Sequence, residues 1–159
     1  MTDYQGLISL LARAEVKFIV IGGAAATAHG SSRLTEDLDI VYERSPDNIR
    51  KLVKALAPLK PYLREAPADL PFRWEETTLV RGLNFTLSTS LGPLDLFGQI
   101  ILGGGYQELV SHTVLLQVFG VECRFLSLPR LIEVKRATGR PKDREVVAEL
   151  EAILEQNNS

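Results

Sequence analysis

Asp37 and Asp39 stand one residue apart in "TEDLDIVY", at the opening of an apolar run. On an extended strand, residues i and i+2 point to one face, so these carboxylates project together while Leu38 and Ile40 face the other way. Side by side the two acids repel, and each raises the other's pKa unless a cation lies between them. A solvated strand end could carry such a pair, but Ile40, Val41 and Tyr42 follow directly and mark a buried strand. A third acid, Asp95, sits in "GPLDLFG" between Leu94 and Leu96, where packing alone gives a charge no reason. Carboxylates and waters are the hard oxygen ligands that magnesium prefers.

A glycine pair, Gly22 and Gly23, ends the β-rich run "KFIVIGG" and precedes an alanine-rich stretch. A strand that ends in glycine and enters a helix can offer backbone N–H groups to phosphate oxygens. Such glycines also serve simple turns, and neither a G-x-G-x-x-G at this turn nor a G-x-x-x-x-G-K-[ST] anywhere is present. The glycines close one strand and the aspartates open the next. They meet only if those strands run antiparallel, which puts both on one rim.

Lys135, Arg136, Arg140, Lys142 and Arg144 form the dense basic cluster of the chain. They suit either a solvated helix end, which the helix dipole favours, or neutralisation of a phosphate-bearing ligand. Arg33, just ahead of the acids, suits phosphate and solvent equally. His29 and His112 are the two histidines and form no metal set. Trp74 reads as a core or rim residue rather than a base-stacking platform, and Cys123 as a small buried hydrophobe.

The elements that must position these residues follow from periodicity. Leu7, Leu10, Leu11 and Ala14 predict a helix over 4–14. "AAATAHG" reads as a short helix closing at Gly30, and "DLDIVYE" as the second strand. Ser45, Pro46 and Asp47 open a helix through Ala57. Four prolines between Pro58 and Pro71 predict irregular structure. "LNFTLST" and "GPLDLFG" read as paired strands, "QIILGGGYQEL" as a loop, and "TVLLQVFGVECRFLSL" as a hairpin turning near Gly120. Two helices, 129–138 and 141–156, close the chain.

At 159 residues and a net charge of −2, the composition is that of one ordinary globular domain with no global pull toward nucleic acid or membrane. One cysteine excludes an intrachain disulfide. No run approaches the ~18–20 apolar residues of a membrane span, and Asp3 stands where a signal peptide wants positive charge. A cytoplasmic protein is the expectation.

"IGG", a short helix, "DLD" and then "LDL" resemble the nucleotidyltransferase superfamily that includes DNA polymerase beta-like enzymes. That signature is a hydrophobic residue, Gly, then Gly or Ser, a [DE]-x-[DE] strand and a later third acid. "GGAAATAHGSSRLTEDLDI" with "LIEVKRATGRPKDREVVAEL" is most similar to the small prokaryotic branch related to abortive-infection and toxin–antitoxin nucleotidyltransferases. The resemblance spans about residues 16–152. It implies an α/β (α+β) fold, a mixed β-sheet flanked by helices with two C-terminal helices. A single domain over 1–159 is expected, with 132–156 as a helical tail packed on it.

The resemblance also implies roles. Gly22 and Gly23 would bind phosphate, Asp37 and Asp39 would hold two magnesium ions, and Asp95 would share one and help activate a hydroxyl. Lys135 matches a lysine that reaches the nucleotide phosphates. Asp143 matches a following acid, but Val146 departs from a further Asp, and Gly23 stands where many members have Ser. The implied reaction moves a nucleoside monophosphate from a nucleoside triphosphate such as ATP to a hydroxyl, with pyrophosphate leaving. The acceptor would be a protein, an RNA end or a small molecule. The alternatives are a non-catalytic nucleotide- or partner-binding module and a toxin–antitoxin component acting with a partner protein. Retention of all three acids favours the enzyme.

Overall fold

The computed structural model describes residues 2–33 and 35–158. Helix α1 (Tyr4–Arg13) starts at Asp3, whose side chain accepts from the Gly6 N–H, and buries Leu7, Ile8 and Leu11. Strand β1 (Phe18–Ile21) is buried throughout and runs straight into α2 (Gly22–Ala28). Strand β2 (Leu38–Tyr42) follows, then α3 (Pro46–Leu56), which Ser45 caps by accepting from the Asn48 N–H. The order continues β3 (Tyr62–Leu63), α4 (Glu76–Arg81), β4 (Asn84–Thr89), β5 (Gly92–Phe97) and α5 (Tyr106–Leu109). Strands β6 (Thr113–Val118) and β7 (Val121–Leu126) form the last hairpin, and α6 (Leu128–Thr138) and α7 (Pro141–Asn157) close the chain.

The strands form one seven-stranded sheet in the order β3-β4-β5-β2-β1-β7-β6. Its pairings are mixed. β1 lies antiparallel to β2 and parallel to β7, while β2 lies parallel to β5. The inner strands alternate as period 2 requires: Leu38, Ile40, Leu94 and Leu96 are fully buried, and the acids stand between them. The β6–β7 hairpin turns on Phe119 and Gly120, both at positive φ, as a two-residue turn matched to strand twist demands. Among the described residues no helix is long and apolar enough to cross a membrane.

Two segments differ from the sequence expectation, and a third, α4, falls where the sequence carries no reading. The proline-rich stretch after Pro58 contains β3, whose two residues are strand only because Tyr62 and Leu63 pair with Ser88 and Leu87 of β4. Helix α4 has no side-chain cap, and α5 is a single turn inside the glycine-rich loop. Neither carries a periodic apolar stripe long enough to read locally.

Asn48 joins the strands that carry the site. Its amide oxygen accepts from the Lys17 N–H (2.7 Å), and its amide nitrogen donates to the carbonyls of Lys17 (3.0 Å) and Glu43 (2.8 Å). The residue is 2% exposed, so water cannot replace these bonds. Asn48→Ala is expected to lower the unfolding free energy by about 2–3 kcal/mol, measured by urea denaturation.

Candidate active site

Two registers assemble the acids. Ile21 of β1 stands opposite Asp39 of β2, so the turn at Gly22 abuts the aspartate strand. Asp39 in turn stands beside Asp95 of β5, and residues in register share a face. Asp37 lies two residues before Asp39. One carboxylate oxygen from each of Asp37, Asp39 and Asp95 therefore lies within 4.8 Å of the other two. They open into a cleft of about 870 Å³ that Gly22, Gly23, Arg33 and Lys135 also line.

Asp39 feels this crowding most. Burial, then the charge and hydrogen bonding of Asp95, then the charge of Asp37 push its pKa up to about 7, with Lys135 opposing. Its Oδ1 is buried and, among the described residues, has no hydrogen-bond partner. Leaving a buried acceptor unsatisfied is costly, and a divalent cation would satisfy it. An all-oxygen donor set with one orphaned carboxylate oxygen fits magnesium.

The glycines are required by space. Gly22 has φ +63°, and a Cβ there would lie 2.5 Å from Asp39 Oδ2. Only glycine takes that backbone conformation at no cost. A Cβ at Gly23 would lie 2.6 Å from Thr35 Oγ1, so the Thr35 side chain occupies the room a serine would need. Lys135 sits half-buried in the last turn of α6. Burial lowers its pKa, while the charges of Asp143 and Asp39 work to keep it protonated. Asp143 itself is buried and accepts from Thr138 Oγ1 (2.6 Å) and Arg140 Nε (2.8 Å). Burial pushes its carboxyl up, but these bonds and the cations outweigh it and hold it below the usual range.

No family model matches the chain, and no curated protein matches it. Solved structures do. The lincomycin-bound lincosamide antibiotic adenylyltransferase LnuA matches with a TM-score of 0.65 at 14% identity, over 96% of this chain and 98% of that one. An antigenic nucleotidyltransferase-like protein from Paracoccidioides brasiliensis matches at 0.58 and 16% identity, over 96% and 73%. ANT(2")-Ia in complex with adenylyl-2"-tobramycin matches at 0.52 and 12% identity, over 96% and 95%. This is a nucleotidyltransferase fold.

Within the nucleotidyltransferase fold, the basic residues divide. Lys135, Arg140 and Lys142 line the cleft, whereas Arg136 pairs with Glu151. Arg33 lines the cleft too, but its guanidinium pairs with Glu145 (3.2 Å) and Glu149 (3.8 Å) of α7. Glu149 also accepts from Ser31 Oγ (2.6 Å) and from the N–H and Oγ of Ser32, tying the loop before the acids to α7. His29 Nε2 donates to the Leu126 carbonyl (2.8 Å), and Trp74 Nε1 to that of Val53 (2.9 Å). Cys123 is buried, its thiol pushed up to about 12 by burial.

Sequence reasoning missed Arg64. From the end of β3 its Nη1 reaches Asp37 Oδ2 at 3.3 Å, and its Nη2 is hydrogen-bonded to Asp95 Oδ1 and to the Leu87 carbonyl (2.9 Å). The residue lies in the proline-rich segment, where no local pattern marks it. The signal was one of charge balance: three converging acids need a cation.

Two outcomes follow from this geometry. Asp39 has a folded pKa above its unfolded one, so the folded state binds the extra proton between about pH 4 and 7. Its contribution to stability is full below pH 4 and is lost as pH rises through 7. Asp39→Asn removes this dependence and should be more stable than the parent by about 2–4 kcal/mol at pH 8 in chelator, read from melts across pH 4–8.5. Gly22→Ala is expected to destabilise by more than ~1 kcal/mol in the same melts, since it meets both the positive φ and Asp39.

Proposed function

We propose that this chain is a magnesium-dependent nucleotidyltransferase that moves a nucleoside monophosphate, taken here as adenylate from ATP, to a hydroxyl acceptor. The observation that carries this reading is the convergence of Asp37, Asp39 and Asp95 within 4.8 Å beside the glycine turn of a nucleotidyltransferase fold. Asp37 and Asp39 would hold the metal and Asp95 would share it; when bound, magnesium supplies Lewis acidity to the reacting oxygens. Gly22 and Gly23 would let the triphosphate approach the backbone, and Lys135 would balance its charge. Asp95 would accept the proton of the acceptor hydroxyl. The hydroxyl oxygen bonds to the α-phosphorus as the bond to the bridging oxygen breaks, and pyrophosphate leaves.

The chain acts as one domain over 1–159 in this reading. LnuA, matched over 98% of its length, is an adenylyltransferase, and that likeness supports a small-molecule acceptor. A lone buried thiol suits a reducing compartment, and we place the protein in the cytoplasm. One observation favours a second reading. Arg64 already neutralises two of the three acids, as it would in a non-catalytic nucleotide- or partner-binding module, including a toxin–antitoxin component.

Incubation with labelled nucleoside triphosphates, magnesium and a cell extract or candidate hydroxyl compounds separates the two. The enzyme transfers label, and Asp95→Asn should keep nucleotide affinity by calorimetry while losing ~10²–10⁴-fold in transfer. Lys135→Ala should weaken triphosphate binding far more than nucleoside binding. Equal transfer by Asp95→Asn and parent would remove Asp95 from the chemistry, and no transfer by the parent would favour the binding module.

A further inference from the structure

Among the described residues Arg64 is the cation that pairs with the acids, and its placement is specific. Its side chain is 20% exposed and lies against Asp37 and the more buried Asp95, reaching one carboxylate with each terminal nitrogen. A planar guanidinium can span two acids in this way, where an ammonium acts as a single point charge. The stem is anchored separately. The Arg64 N–H donates to the Thr86 carbonyl (2.9 Å), and Nε and Nη2 donate to the Leu87 carbonyl (3.3 and 2.9 Å). Beneath it, β3 is two residues long and pairs only with β4, and Glu65 at φ +64° turns the chain away.

The oxygens that Arg64 holds, Asp37 Oδ2 and Asp95 Oδ1, belong to the carboxylates that a metal at the triad would need. One oxygen cannot serve both a guanidinium N–H and a divalent ion at full strength. Asp39 is the acid whose buried oxygen has no hydrogen-bond partner among the described residues, and Arg64 makes no hydrogen bond to it. We propose that Arg64 is a resident counterion of the triad: it pairs with Asp37 and Asp95 in the metal-free protein and is displaced from them by the divalent ion. Arg64 thereby stabilises the metal-free fold and weakens metal binding. The inference rests on the metal-binding reading of the three aspartates.

The test is Mn²⁺ binding by calorimetry and by loss of the free-ion electron paramagnetic resonance signal, for the parent, Arg64→Gln and Arg64→Lys, each checked for folding by circular dichroism. Arg64→Gln should bind Mn²⁺ at least ~10-fold more tightly than the parent, the worth of a lost charge-assisted hydrogen bond. Its melting temperature in chelator should fall, and saturating Mn²⁺ should restore it. Arg64→Lys, with charge but no fork, should lie between the two; it decides the matter should Arg64→Gln not fold. Unchanged or weaker Mn²⁺ affinity in the folded variants, with the parent binding Mn²⁺, would overturn the counterion role and leave the metal site standing. No Mn²⁺ binding by parent or variants would overturn the metal reading and this inference together.

Discussion

Like charges crowded by backbone pairing govern this molecule. The ladder hydrogen bonds of β1, β2 and β5 fix Ile21 beside Asp39 and Asp39 beside Asp95, so the sheet cannot close without bringing carboxylates together. Desolvation on a largely buried strand then magnifies the repulsion rather than letting water dilute it. The neighbourhood is arranged around that cost. Lys135 supplies charge from α6, Arg64 bridges two of the acids, and Gly22 withholds a side chain that would collide with Asp39.

The rim on which Asp37 stands is braced from both ends of the chain. The Thr2 hydroxyl lies 2.8 Å from the Glu36 carbonyl and 2.6 Å from that of Pro93. The Tyr4 hydroxyl reaches the carbonyls of Thr35 (2.9 Å) and Asp37 (3.3 Å). On the other side, Glu149 of α7 gathers Ser31, Ser32 and Arg33. Residues 31–33 and 35–37, which lie outside helix and strand, thus have backbone groups and charges taken up by Thr2 and Tyr4 on one side and by α7 on the other. Arg33, which from the sequence suits phosphate and solvent equally, pairs with Glu145 and Glu149 within this bracing.

What could be read from the sequence was whatever local periodicity or a rule of spacing encodes. Asp37 and Asp39 share a face because the strand period is 2, and the glycines mark the turn because few other residues fit there. The antiparallel relation of β1 and β2 is what brings the glycine turn and the aspartates to one rim. Arg64 was illegible because its strand exists only through pairing with β4, and no apolar alternation surrounds it. The same holds for Glu149, whose partners lie more than a hundred residues away on the chain. Thr35 showed no signal either, since its role beside Gly23 is one of volume.

The parallel pairing of β1 with β7 joins Ile19 to Arg124, so the strand that flanks the acids finds its outer neighbour only near the end of the chain. Such high contact order makes folding wait on a long loop closure. During synthesis, the glycine turn, the first two aspartates and Asp95 emerge before β7 is available to pair with β1. A nascent chain short of β7 carries the three acids but neither the outer partner of β1 nor Lys135. A ligand that recognises the assembled acids therefore reports on the pairing of the sheet and not merely on the presence of its residues.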